Sequence, residues 1–225
     1  VKAHLAALLT GIATHAAAPE IAVAQTSATE AIALAKTYID THNSHDLDAV
    51  MKLYHPDATF QLSMGRALVK GEAAIRELER FDAVAGSLLV PQQWSARPDG
   101  KGWLVSVDAV IENSRIFSAL GLHIVIARPQ APVLRFENGL ISQSTQPPIR
   151  AECLSIIMSG FQQTALWLQQ SRSPLVPALL DAGRLRLEPA TLPIIAEQLS
   201  LWRQSSGWAP PVSGLRACGT ISPAP

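Results

Sequence analysis

Tyr38 and His42 stand four residues apart in the stretch Tyr38-Ile39-Asp40-Thr41-His42, so on a helix a phenol and an imidazole share one side, one turn apart. Such a pair could move a proton: the imidazole accepts one near neutral pH, and the phenol donates a hydrogen bond to an oxygen that gains charge. Each residue also has an ordinary reading. A tyrosine on an inner helix face buries its ring and gives its hydroxyl to a backbone group, and a histidine beside Asn43 caps helix-end carbonyls or reaches solvent. A third candidate is Asp108 in WLVSVDAVIEN, residues 103–113. There Trp103, Val105, Val107, Ala109 and Ile111 alternate with Leu104, Ser106, Asp108, Val110 and Glu112, so with the apolar set inward both acids lie outside. A slip of one residue inverts that assignment and turns Asp108 inward as a base.

Other chemistries find little footing. No His, Asp and Glu set has metal-ligand spacing, Gly-rich phosphate loops are absent, and Ser159-Gly160 lacks the setting of a nucleophile elbow. No cofactor is implied. Lys plus Arg and Asp plus Glu number 18 each, without a basic run, which argues against a nucleic-acid partner.

The elements that must position these residues are legible from periodicity. Thr26 to Asn43 carries Ala31, Leu34, Ala35, Tyr38 and His42 at helical spacing, with Thr29 as N-cap. Asp46 to Tyr54 is a second, short helix stopped by His55-Pro56-Asp57. A strand follows at Ala58 to Leu62 and a short extended piece at 67–70. After Gly71 a third helix runs to about Ala83, with Ala74, Ile75, Leu78 and Phe81 expected inward. Extended segments at 88–97, 103–113, 120–136 and 140–145 come next, joined by the turn signals Asp99-Gly100 and Asn138-Gly139. Arg128-Pro129-Gln130-Ala131-Pro132 must interrupt the third of them, because proline cannot donate to a ladder. Helices first and antiparallel strands afterwards is an α+β pattern.

Residues 38–79, YIDTHNSHDLDAVMKLYHPDATFQLSMGRALVKGEAAIRELE, resemble without a gap the first half of the ketosteroid isomerase and SnoaL-like branch of the nuclear transport factor two-like superfamily. The resemblance spans roughly residues 28–147. It implies a cone: a curved antiparallel sheet wrapped on three N-terminal helices around one pocket, with dimerisation through the outer sheet face as a family habit. It places Tyr38 on the family's phenol position and turns His42 toward the pocket. Phe60, Leu62, Met64, Leu78, Leu134 and Phe136 are expected to form an apolar wall, with Gln143 and Thr145 as polar lining and Ser142 and Ser144 outside. Leu62 occupies the position of the family's aspartate base, and the second aspartate falls within Gln130–Pro132, where there is no acid. Steroid isomerisation by the family's own route is thereby excluded, since leucine takes no proton.

Four regions are expected. Residues 1–24 have the layout of a cleavable export signal, with Lys2, an alanine-rich apolar centre and Ala22-Val23-Ala24, against the plainer reading of an alanine-rich arm. Residues 25–147 form the cone, 148–206 a helical extension packed on it, and 207–225 a loose tail rich in Pro, Gly and Ser. After signal cleavage no run is long enough for a membrane span, and the mature chain is expected in the periplasm or secreted. Cys153 and Cys218 suit one disulfide in such a compartment, closing a loop worth about 4 kcal/mol in the chain-entropy model. Two readings of function remain. In one, the pocket binds a small hydrophobic molecule and performs cofactor-free isomerisation, dehydration or hydration. In the other, the cavity is filled by side chains or by extension residues such as Trp167 and Trp202, and the chain is a non-catalytic binding or assembly module.

Overall fold

The computed structural model describes residues 27–61, 68–127, 133–145, 149–211 and 218. Residues 1–24, where an export signal is expected, Leu62, Met64, residues 130–132 and most of 207–225 lie outside the described residues.

Helix α1, Ala28–Asn43, starts at Ser27 rather than at Thr29. The Ser27 hydroxyl accepts from the Glu30 amide, and the Glu30 carboxylate accepts from the Ser27 amide, so both free donors are satisfied reciprocally. Ala31, Ala35, Tyr38 and His42 form its buried stripe. Helix α2, Leu47–Met51, is short, and strand β1, Tyr54–Gln61, already begins at Tyr54 and passes through Pro56. Strand β2, Leu68–Lys70, pairs antiparallel with β1.

Helix α3, Glu72–Ala85, ends on Gly86 in the left-handed conformation, which glycine adopts without a Cβ penalty. Its buried face is Ile75, Glu79 and Ala85. Ala74 is exposed and Leu78 only half-buried, so the helix is rotated from the expected face and presents a carboxylate inward. The cause lies in partners from other elements, described below.

Strands β3, Leu88–Asp99, and β4, Gly102–Asn113, make a long hairpin. The expected strand at 120–136 is divided. Helix α4, Arg115–Ala119, with Ser114 as N-cap, precedes strand β5, Ile124–Ala127, and strand β6, Val133–Glu137, is separate. Both pair with β4, β6 beside residues 103–106 and β5 beside residues 109–112. Strand β7, Leu140–Thr145, completes a seven-stranded curved sheet of order β2-β1-β7-β6-β4-β3 with β5 also on β4. All pairs are antiparallel except β1 with β7.

The extension comprises α5, Ala151–Gln170, α6, Val176–Leu179, the two-residue strands β8, Leu180–Asp181, and β9, Arg184–Leu185, and α7, Leu192–Ser206. No helix among the described residues is long and apolar enough to cross a membrane. Two cores result. One joins α1, α2 and α3 to β1, β4, β6 and β7 through Tyr38, Val50, Tyr54, Phe60, Ile75, Leu134 and Ile141. The other joins Val107, Val110, Leu120, Ile124 and Ile126 to Ile157, Leu168, Ile195, Leu199 and Trp202 of the extension. The half-buried Trp94 touches both. Cys153 and Cys218 are bonded, tying the end of the chain to α5.

Close packing of the extension rests partly on Gly160, where an added Cβ would lie 2.5 Å from Cδ2 of Leu120. Gly160→Ala is expected to destabilise by about 1–2 kcal/mol in urea unfolding, overpacking outweighing the better helix propensity of alanine. A gain in stability would show that α5 can slide away from α4 at no cost.

Candidate functional site

Glu79 is the centre of a buried polar cluster. Its Oε1 accepts from the Tyr54 hydroxyl at 2.7 Å and from the Tyr38 hydroxyl at 3.1 Å, while Oε2 lies 2.9 Å from Nδ1 of His42. The Tyr54 hydroxyl also lies 3.4 Å from that of Tyr38. Only 4 % of Glu79 is exposed, a position a carboxylate can occupy when several donors replace its water shell. Burial, and then the charge of Glu79, hold the Tyr38 hydroxyl well above its ordinary range. Burial does the same for Tyr54, followed by Tyr38 and Glu79. Both phenols stay neutral and spend their protons on Glu79. Tyr38 therefore lends its ring to the cavity wall and its hydroxyl to Glu79, which corrects the expectation that it is an acid facing a ligand or a cap for backbone.

His42 is positioned from both sides. Nδ1 is held by Glu79, and the next residue, Asn43, exchanges two hydrogen bonds with the backbone of Leu89, at 2.7 and 2.9 Å, pinning the end of α1 to β3. Nε2, on the far side of the ring from Glu79, is buried without a hydrogen-bond partner. Burial pulls the imidazole's pKa down, but the hydrogen bond and charge of Glu79, with Asp82 and Glu112 beyond it, more than offset that and raise it.

Tyr38 and His42 line a partly open cavity holding about 700 Å³ of non-atom space, its open side included. The wall is mainly apolar: Ile39, Phe60, Leu89, Pro91, Trp94, Val105, Val107, Val110, Ile126 and Leu134. The polar lining is His42, Asp82, Ser87, Ser106, Glu112, Ser144 and Thr145. Among the described residues no extension residue lines the cavity, and Trp202 is buried in the second core, so the described extension does not plug it.

Of the residues expected to face the cavity, Phe60, Leu134 and Thr145 do so. Phe136 is buried in the core behind the wall, and Leu78 and Gln143 are half-buried away from it. Ser144 takes the place expected for Gln143, and the reason is a bulge. Arg135 pairs with Gln143 but Phe136 pairs with Ile141, so Ser142 is an extra residue on β7 and the inward set changes parity there. Strand β4 behaves alike. Val105 and Val107 are buried in its first half, Val110 and Glu112 in its second, and the change falls at Asp108-Ala109, opposite Gln92 and Gln93, the latter with φ of 52°. Asp108 is half-buried and takes no part in the cavity wall. The carboxylate that β4 contributes is Glu112, which the alternation had placed outside.

Asp82 is the other acid on the wall, one turn after Glu79 on α3. Burial pushes its pKa up to about 7, with Glu112 and Glu79 adding and His42 opposing. Burial also raises Glu112, while His42 and the Ser87 hydroxyl, 3.4 Å away, counteract it. Near neutral pH Asp82 is therefore partly protonated, beside a Glu112 that is itself raised. In the native state Asp82 binds a proton that the unfolded chain gives up above about pH 4, so its contribution to stability is lost as pH rises from about 4 to 7. Asp82→Asn should flatten that slope and raise stability at pH 8 by about 1–3 kcal/mol. An unchanged slope in urea titrations from pH 4 to 8 would mean that water reaches Asp82 freely.

Among the described residues no group of three or more His, Cys, Asp or Glu is arranged to hold a metal ion. The arrangement is suited to proton transfer. An imidazole oriented by a carboxylate and an acid titrating near neutrality border one apolar space.

The model of the SnoaL-like domain matches residues 35–144. Among solved structures, the chain is similar to a candidate ketosteroid isomerase from Kribbella flavida, at 21% identity over 53% of this chain and 78% of that one, with a TM-score of 0.43. It is also similar to the epoxide hydrolase/cyclase-like enzyme SalBIII of polyether salinomycin pyran-ring formation, at 23% identity over 52% and 88%, TM-score 0.43. A third is a candidate polyketide cyclase from Sinorhizobium meliloti, at 19% identity over 50% and 92%, TM-score 0.37. No curated protein matches the chain. Residues 35–144 thus match a SnoaL-like domain, after which α5, α6 and α7 follow.

Proposed function

We propose that this protein binds a small, largely hydrophobic molecule in the cavity and catalyses a cofactor-free proton transfer on it, of the isomerase, dehydratase or hydratase kind. His42 is the base, through Nε2, and Asp82 with Glu112 is the acid that supplies or takes back the proton. Glu79 and Tyr38 position His42. One observation carries the reading: an unplugged apolar cavity in which an oriented imidazole with a free nitrogen and an acid titrating at about 7 share the wall. A base and an acid matched to neutral pH work best in proton transfer, and low polarity around them strengthens their effect on a developing oxyanion.

The reading is tested without knowing the natural substrate. Small cyclic ketones in D2O exchange the protons beside their carbonyl, and NMR follows the loss. Faster exchange with the protein than with buffer, saturating in ketone, is expected. Buffer-level rates across the panel from pH 6 to 8 would leave the site without this chemistry. Export is proposed alongside, on the pattern of residues 1–24 and on the disulfide between Cys153 and Cys218, which oxidising compartments favour. Its test is fractionation of cells expressing the full chain.

A further inference from the structure

The two acids on the cavity wall are short of a counter-charge. Within the polar cluster Glu79 is satisfied by three donors, the Tyr38 and Tyr54 hydroxyls and Nδ1 of His42. Asp82 and Glu112 are then left over. The described residues lining the cavity include neither lysine nor arginine. Ser87 offers Glu112 one long hydrogen bond at 3.4 Å, and no described residue hydrogen-bonds the carboxyl of Asp82, whose backbone carbonyl accepts from the Ser87 amide. Glu112 is buried and Asp82 half-buried, and setting two carboxyls on an apolar wall without a cation is costly. Against them, Nε2 of His42 is a buried ring nitrogen, its side chain 4 % exposed, with no hydrogen-bond partner among the described residues. The cavity thus offers two acids and one polar atom unpaired among the described residues, and with them the aromatic side chains Trp94 and Phe60, a residue type that attracts hydrocarbon and cations alike.

Resting on the reading that the cavity holds a small molecule, we propose that its ligand is an apolar molecule bearing one basic nitrogen, whose ammonium group docks at Asp82 and Glu112 while its hydrocarbon part lies against Trp94, Phe60 and Leu134. The ammonium supplies the missing positive charge, and its N–H groups are donors for carboxylates that have too few. Docking displaces the proton that Asp82 otherwise holds near neutral pH, and the bound ammonium then stands in its place as the proton donor, whereas with a neutral ketone Asp82 keeps its proton. The groups facing Asp82 are His42 from α1, Glu79 from its own helix and Glu112 from β4, so the released proton leaves a site of net negative charge. Amine affinity therefore rises with pH through the range in which Asp82 ionises.

Three molecules of one size separate charge from shape: cyclohexylmethylamine, cyclohexylmethanol and cyclohexanecarboxylate, titrated calorimetrically into the full chain. The amine is expected to bind at least tenfold tighter than the alcohol at pH 8, and the carboxylate not measurably. Between pH 6 and pH 8 amine affinity should rise about tenfold, with proton release visible as a dependence of heat on the buffer, whereas alcohol affinity should stay flat. Asp82→Asn and Glu112→Gln keep the shape of the wall and should bring the amine down to the alcohol. Equal binding of amine and alcohol, or an amine preference that survives both substitutions, would overturn the proposal while leaving a small-molecule cavity intact. If none of the three binds, the amine proposal and the cavity reading fall together.

Discussion

Replacing Glu79 by alanine is expected to destabilise the fold by about 3–5 kcal/mol, more than any other single change at the site, because one carboxylate satisfies three buried donors. The substitution would strand the hydroxyls of Tyr38 and Tyr54, both buried, and Nδ1 of His42. It would also open a void between α1, α3 and β1, the elements that carry those groups. Urea unfolding at pH 7 measures the loss. Glu79→Gln should cost less, about 1–3 kcal/mol, since the amide oxygen still accepts from the phenols but the charge opposite His42 is gone. A second readout separates position from mere bulk. Without the carboxylate the imidazole of His42 loses both the hydrogen bond and the charge that raise it, so its titration by NMR should move downward in Glu79→Gln. If Glu79→Ala is nearly as stable as the parent chain, water must enter and take over the three hydrogen bonds, and the cluster would not be what holds α3 in its rotation.

The second large effect is on chemistry. His42→Ala should slow the exchange of ketone protons by about 10²- to 10⁴-fold, the span typical of a lost general base. The same change should leave ligand affinity within a few-fold, because Nε2 acts on the reacting proton and not on the hydrocarbon. Added imidazole, small enough for the vacated space, should restore part of the rate. Asp82→Asn should lower the rate and also remove the limb of the pH profile near 7, where that acid titrates. A folded His42→Ala protein that exchanges protons within threefold of the parent would assign the base elsewhere, with Glu112 the next group to replace.

These expectations show where reading residues in order succeeds. Helix α1 carries its own evidence. Its apolar stripe, its capping residues and the four-residue step from Tyr38 to His42 are all local, so both side chains could be placed on one inner face before any tertiary contact was known. The α+β order of elements and the SnoaL-like resemblance are legible for the same reason: each segment's periodicity is a property of that segment.

Helix α3 shows where such reading fails. Apolar residues at 74, 75, 78 and 81 argue for one face, and burying a carboxylate is normally too costly to consider. Glu79 becomes affordable only because Tyr38, Tyr54 and His42, separated from it by 41, 25 and 37 positions, arrive together. Rotating the helix to meet them carries Asp82 onto the cavity wall. A carboxylate at i and another at i+3 flanked by Ile75 was the available signal, and it is weak.

By itself, then, the amino-acid order determined the α+β order and most of the element types, the helical face bearing Tyr38 and His42, and the lack of an acid at Leu62 and within Gln130–Pro132. The tertiary structure alone decided which acids line the cavity. Glu112 and Ser144 face the cavity because β4 changes parity at Asp108-Ala109 and β7 bulges at Ser142, and a period of two cannot reveal where it is broken. The extra residue in a strand is chosen by its neighbours across the sheet, which lie far away along the chain.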